Sequence, residues 1–191
     1  MIARHSSHFI LGGARSGKSR HAVALTRAAR LPAAFVATAQ PGDEDMRARI
    51  ARHRAERPAD WLTVEEPLAL AGACRGLPRD VEIVLVDCLT LWVANRMLRR
   101  DADAAILAEA DELTRLLAAG RRSWVIVSNE VGEGVHPETA DGRRFRDLLG
   151  LVNQAVAAAA DRVSLMVAGL PLGVKERRES APGRERAPEA P

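Results

Sequence analysis

Three groups of side chains in this 191-residue chain have the types and spacing to do phosphate chemistry. The first is the run Gly12-Gly13-Ala14-Arg15-Ser16-Gly17-Lys18-Ser19. Gly12, four intervening residues, then Gly17, Lys18 and Ser19 reproduce the P-loop template, and each position answers a need of a nucleoside triphosphate. Glycines let backbone N–H groups curl toward phosphate oxygens with no Cβ in the way. Lys18 reaches the β and γ phosphates, the Ser19 hydroxyl suits Mg²⁺, and the N-terminus of the following helix adds partial positive charge. A plain glycine-rich turn is the alternative. Composition argues against it: of 28 basic residues only Lys18 and Lys175 are lysine, so a chain that writes its positive charge as arginine keeps lysine where this loop needs one.

The second group is Asp87, which ends the near-continuous apolar run Glu82-Ile83-Val84-Leu85-Val86. Such a run reads as a parallel strand buried on both faces, and its terminal carboxylate would sit beside Ser19 and hold Mg²⁺ directly or through water. Its other possible role is N-cap of the helical pattern Leu89 to Leu98. The third group surrounds His53. Met46, Ile50 and His53 fall at i, i+4 and i+7, so His53 shares an inward face, while Arg47, Arg49, Arg52, Arg54 and Arg57 lie on the same segment. Two readings are open there. The arginines are a solvated face with His53 a hydrogen-bonded core residue, or they gather a triphosphate for an imidazole that attacks phosphorus.

Elements alternate in the way needed to present these groups together. Phe9-Ile10-Leu11 feeds the P-loop, and Ser19 to Ala29 is helical, stopped by Pro32. Ala33 to Ala37 reads as a buried strand, and Asp43 to Arg57 as a helix that begins on acids and stops at Pro58. Leu62 to Glu65 is a short strand, Pro67 opens a helix toward Cys74, and Ala102 to Ala119 is a helix closed by Gly120. Trp124 to Ser128 is another buried strand. The loop after it, with Asn129, Glu130 and Gly132, is a candidate substrate wall, because carboxyl-end loops hold ligands in open α/β sheets; a plain surface loop is its alternative. A helix from Glu138 to Ala160 and a last long strand from Arg162 to Ala168 complete an α/β fold with a mostly parallel sheet.

Length and composition bound the rest. One catalytic domain over residues 1–175 fits the length, and residues 176–191, rich in Pro, Glu, Arg and Ser, read as a disordered tail. Charges of 28 basic against 25 acidic leave only +3, and aromatics are 3% with no Tyr, so stacking platforms are scarce and no nucleic-acid partner is expected. Cys74 and Cys88 are too few for a disulfide framework, and no apolar run reaches the ~20 residues of a membrane span. A cytoplasmic protein is expected. His5 and His8 are taken as solvent-exposed or strand-edge residues without a role.

Several ordered blocks resemble one family. These are Gly12 to Arg20, Ala37-Thr38-Ala39-Gln40, Met46-Arg47-Ala48-Arg49-Ile50 leading to His53 and Arg57-Pro58, Val86-Asp87-Cys88-Leu89-Thr90, Ser128-Asn129-Glu130-Val131-Gly132, Arg144-Phe145-Arg146-Asp147, Val152-Asn153-Gln154 and Ala168-Gly169-Leu170-Pro171. Over about Phe9 to Lys175 the chain is similar to the bifunctional adenosylcobinamide kinases and adenosylcobinamide-phosphate guanylyltransferases of cobalamin biosynthesis. The resemblance implies a RecA-like P-loop NTPase sheet, ATP or GTP as phosphate donor to the corrinoid, and then GMP transfer from GTP through a guanylylated histidine, which matches His53. It implies nucleotide contacts at Gly12 to Ser19, at Ala37, Thr38 and Ala39, at Arg54, Ala55, Glu56 and Arg57, and at Glu65 and Asp87, with Mg²⁺ as cofactor. It also implies a homo-oligomer, a trimer. Glu133 and His136 stand where apolar residues are commoner in that family. A RecA-like hydrolysing switch and a kinase without guanylyl transfer are the competing readings.

Overall fold

A computed structural model describes residues 4–42, 44–55 and 57–176. Asp43, Glu56, the side chain of Met46 and the expected tail beyond Glu176 therefore lie outside the described residues. Thirteen elements alternate among them: β1 (Ser7–Gly12), α1 (Lys18–Ala29), β2 (Ala33–Ala37), α2 (Glu44–Ala55), β3 (Leu62–Glu65), α3 (Leu70–Arg75), β4 (Ile83–Asp87), α4 (Leu89–Leu98), α5 (Asp103–Ala118), β5 (Ser123–Val127), α6 (Ala140–Ala159), β6 (Arg162–Val167) and β7 (Leu170–Lys175). The strands form one sheet in the order β3-β2-β4-β5-β1-β6-β7, parallel except for β7, which returns antiparallel to β6.

Period-2 alternation splits the strands between two apolar layers. Phe9, Ala34, Val36, Val84, Val86, Trp124 and Ile126 face the layer completed by α3, α4, α5 and α6. Ile10, Phe35, Ala37, Ile83, Leu85, Val125 and Val127 face the other, where α1 supplies Ala22. Both faces of the central strands are thus buried, as continuous apolar runs require in a parallel sheet.

Register then decides where the chemistry falls. Glu65 pairs with Ala37, Ala37 with Asp87, Asp87 with Val127, and Val127 with Ile10, two residues before the P-loop begins. One row across the sheet therefore brings Glu65, Asp87 and the P-loop to the same carboxyl edge. Strand β5 lies between the P-loop strand and the Asp87 strand.

The structure departs from the sequence-based expectations at three points. His8 belongs to β1, flanked by β5 and β6, and is half-buried with Nε2 2.8 Å from Ser164 Oγ; His5 is exposed as expected. Pro67 does not open a helix, because Glu66 Oε1 accepts from the N–H groups of Leu68 and Ala69 at 2.8 Å each and holds a turn; α3 starts only at Leu70. Strand β6 is not the last. Ala168 and Gly169, at φ 50° and 85°, reverse the chain into β7, whose Pro171 and Gly173 hide a strand from propensity-based reading.

Candidate active site

Strand β1 ends in a turn that only glycine can make. Gly12 has φ +153°, and a Cβ there would meet the Met166 carbonyl oxygen and Ser16 Oγ, each at 2.7 Å. Gly17, at φ +91°, would bring a Cβ to 3.3 Å from Gly169 Cα, so the hairpin between β6 and β7 packs directly on the P-loop. A bond from Gly169 N–H to the Ser16 carbonyl, 3.0 Å, ties the two together. Lys18 is 8% exposed, and its Nζ donates to the Gly13 carbonyl at 2.8 Å, so the lysine lies folded along the loop. Helix α1 begins at this point with Gly17 as N-cap and no side-chain cap, which leaves its first N–H groups directed at the loop.

A cavity of about 430 Å³ opens over the loop, lined by Ala14 through Arg20 and closed from the other side by Arg52, His53 and Asn129. The imidazole that the sequence pattern turned inward therefore faces the P-loop. Beneath α2, His53 also lines a second, smaller cavity of about 40 Å³, with Ala37, Ala39, Ile50, Arg57, Asp87 and Cys88. His53 is the shared wall between P-loop and Asp87.

The smaller cavity is held by unusual contacts. Arg57 stacks its guanidinium 3.8 Å from the centre of the Phe35 ring, and its Nε and Nη1 are buried with no hydrogen-bond partner among the described residues. Burial lowers the Arg57 pKa, opposed by Asp87 and Glu65. Unmet N–H groups in the wall of a cavity carry a desolvation cost that an anionic ligand would recover. Thr38 is buried, and its Oγ1 donates to the Cys88 carbonyl at 2.7 Å while accepting from the Cys88 N–H at 2.9 Å. That clamp fixes the Asp87-Cys88 peptide, which is cis. Asp87 is not a helix cap, since the N-cap of α4 is Cys88. Burial, then Asp87, pushes the Cys88 thiol up to about 11, against a smaller opposing effect of Lys18, and burial pushes Cys74 up to about 12. Neither thiol is a nucleophile at neutral pH.

Not every expected residue reaches these cavities. Arg54 is exposed and pairs with Glu65, so the two hold α2 to the end of β3 without lining either space; Ala55 is exposed beside them. Asn129 lines the P-loop cavity, held by its N–H donating to Thr90 Oγ1 at 2.7 Å and its carbonyl accepting from Asn153 Nδ2 at 3.0 Å. Glu130 lies on the other side of the loop, and Gly132 supplies the N–H that meets its Oε1 at 2.7 Å. Arg20 reaches the P-loop cavity although sequence reasoning gave it no site role, and so does Arg52, weighed there only as one of five arginines that gather a triphosphate. Their signal was adjacency, Arg52 to His53 and Arg20 to Ser19. Among the described residues no three His, Cys, Asp or Glu gather as a metal cage. A magnesium ion shared with phosphates needs only one or two protein oxygens, and Ser19 and Asp87 are hard oxygen donors of that kind.

Comparison with known proteins gives the chain's family. The family model described as cobinamide kinase / cobinamide phosphate guanyltransferase matches residues 8–174. The chain is 46% identical over 166 residues to the bifunctional adenosylcobalamin biosynthesis protein CobP of Pseudomonas aeruginosa, covering 87% of this chain and 95% of that one. It is 40% identical over 178 residues to the bifunctional adenosylcobalamin biosynthesis proteins CobU of Escherichia coli and Salmonella typhimurium, covering 87% of this chain and 98% of each. With a P-loop at the carboxyl edge of a parallel sheet and a match over nearly all of the described residues, the chain belongs to the cobinamide kinase / cobinamide phosphate guanyltransferase family.

Proposed function

We propose that one triphosphate pocket serves both reactions of this family. A nucleoside triphosphate, ATP or GTP, phosphorylates the aminopropanol hydroxyl of adenosylcobinamide. GTP then gives its GMP unit to that phosphate by way of a guanylylated His53, yielding adenosylcobinamide-GDP and pyrophosphate. What supports the shared pocket is that His53 lines the same cavity as Lys18 and Ser19.

In the guanylyl transfer, an imidazole nitrogen of His53 forms a bond to the α-phosphorus as the bond to the α–β bridging oxygen breaks, and pyrophosphate leaves with the electron pair. An oxygen of the corrinoid phosphate then attacks the same phosphorus and returns the imidazole. Lys18 and the loop N–H groups stabilise charge on the phosphates in both reactions, and Arg52 and Arg57 add to the positive field around the α-phosphate. Ser19 and Asp87 would hold Mg²⁺, which would supply further neutralisation of that charge. Because His53 also lines the Asp87 cavity, the imidazole stands between the phosphate grip and the carboxylate.

The oligomer fits the outer edge of the sheet. Leu170, Leu172 and Val174 of β7 are 71%, 59% and 62% exposed, an apolar stripe that contact with further copies, as in a trimer, would cover. Among the described residues no helix is long and apolar enough to cross a membrane, and nucleotide substrates suit a cytoplasmic enzyme.

The whole reading is tested by supplying cobinamide with ATP, then GTP, and separating the corrinoid products by mass. Cobinamide phosphate followed by GDP-cobinamide and pyrophosphate is the expected sequence. Accumulation of the phosphate alone, with GTP present, would reduce the protein to a kinase.

A further inference from the structure

The two transfers differ in what they ask of the protein. Neutral imidazole has a lone pair and a phosphate monoester is already an anion, so guanylyl transfer needs no base. An alcohol does: its hydroxyl proton must leave as oxygen bonds to phosphorus, and a positioned carboxylate can accept it, as the catalytic-loop Asp of protein kinases does. None of the groups lining the P-loop cavity is a carboxylate, and Asp87, in the smaller cavity beneath α2, is the one given to Mg²⁺ above. The opposite side of the loop has two carboxylates. A cleft of about 390 Å³ runs between Gly13–Ser16 of the P-loop and the apolar end of β6, with Glu130 and Glu133 in its wall.

Glu130 is built into that wall. Its N–H donates to the Gly12 carbonyl at 3.3 Å, so its backbone is joined to the first residue of the loop. Its Oε1 accepts from the Gly132 N–H at 2.7 Å, a contact close enough that a Cβ on Gly132 would stand 3.0 Å from that oxygen. One carboxylate oxygen is thereby anchored. No cation among the described residues pairs with Glu130, so its charge is not already spent on an ion pair. Glu133, by contrast, is exposed on the outer turn.

We propose that Glu130 is the general base of the phosphorylation step and that the cleft beside it admits the hydroxyl-bearing acceptor. This rests on the triphosphate reading of the P-loop given above. The Glu130 carboxylate takes the acceptor's hydroxyl proton while that oxygen bonds to the terminal phosphorus. The bond from that phosphorus to the β–γ bridging oxygen breaks, the nucleoside diphosphate leaves with the electron pair, and Glu130 passes its proton to water. The two chemistries thus approach one bound nucleotide from opposite sides of the loop, His53 toward the α-phosphorus and Glu130 toward the terminal one.

Glu130→Gln is the discriminating variant, because its amide oxygen still accepts from the Gly132 N–H. Cobinamide phosphorylation should fall by about 10²–10⁴-fold, while guanylylation of the protein by GTP without corrinoid stays near the wild-type rate. Glu130→Asp, which keeps a carboxylate, should recover part of the phosphorylation rate, and the residual activity of Glu130→Gln should lose the acid limb of the wild-type pH profile. Unchanged phosphorylation in Glu130→Gln would overturn the proposal, and so would parallel loss of both activities, which would make Glu130 a support of the loop. Wild-type protein that binds ATP yet phosphorylates no corrinoid would instead sink the parent reading.

Discussion

The two flanks of the P-loop carry opposite chemistry on unlike supports. Toward α2 the loop faces an imidazole and guanidiniums; toward the β5–α6 connection it faces carboxylates. The carboxylate flank is anchored in the sheet, with Glu130 bonded to Gly12. The imidazole flank rides on a helix at the rim, where Ile50 and His53 alone among the described side chains of α2 are half-buried and the rest are exposed. Arg54 pairing with Glu65 and Arg57 stacked on Phe35 hold that rim. On the function proposed above, one bound triphosphate would offer a different phosphorus to each flank, so the flanks should be separable by mutation while the loop between them is not.

Lys18→Ala should break both flanks at once, lowering phosphorylation and guanylyl transfer each by about 10²–10³-fold, measured as separate initial rates. A loss confined to one reaction would mean the two do not share the loop. Gly12→Ala places a Cβ against the Met166 carbonyl oxygen and Ser16 Oγ at a φ of +153°, and should cost about 2–4 kcal/mol of stability, read as a fall in urea midpoint together with both activities.

His8, beneath both flanks in β1, should affect stability without separating them. Burial, helped by His21 and Arg162, holds its folded-state pKa at about 4, below the ordinary 6.5. Between those values the unfolded chain binds more protons than the folded one, so stability is full above pH 6.5 and falls as pH drops toward 4. With allowance for solvent screening the loss is on the order of 1 kcal/mol, and His8→Gln, which can still bond Ser164, should flatten that part of the urea-midpoint profile. Arg54→Ala gives the smallest effect. An exposed pair with Glu65 contributes less than about 1 kcal/mol to stability, so any larger change should appear in the guanylyl-transfer rate and leave phosphorylation alone.

Much of the site was legible because its parts are local. The P-loop is one contiguous run whose glycines are demanded by φ and close contact, and Asp87 ends an apolar strand that could only be buried. The inward turn of His53 followed from helical spacing with Ile50, and both line the cavity under α2. What spacing could not give was lateral order. That β5 separates the P-loop strand from the Asp87 strand, and so brings Glu130 beside Gly12, depends on pairing between segments distant in sequence. Strand β7 escaped for another reason: its Leu170, Leu172 and Val174 alternate properly, but Pro171 and Gly173 mask them and no buried face reinforces the signal. The expected contacts at Arg54 and Glu65 came from family resemblance; the two side chains pair with each other.

The most direct measurement of the central claim is incubation of wild-type and His53→Ala protein with GTP labelled at the α-phosphate, with no corrinoid present. The account predicts protein-bound label on the wild type that survives alkali and is released by acid, as a histidine phosphoramidate should be, passes to cobinamide phosphate on addition, and is absent from His53→Ala. Label that persists in His53→Ala, or a wild-type protein that makes GDP-cobinamide without ever carrying label, would contradict it.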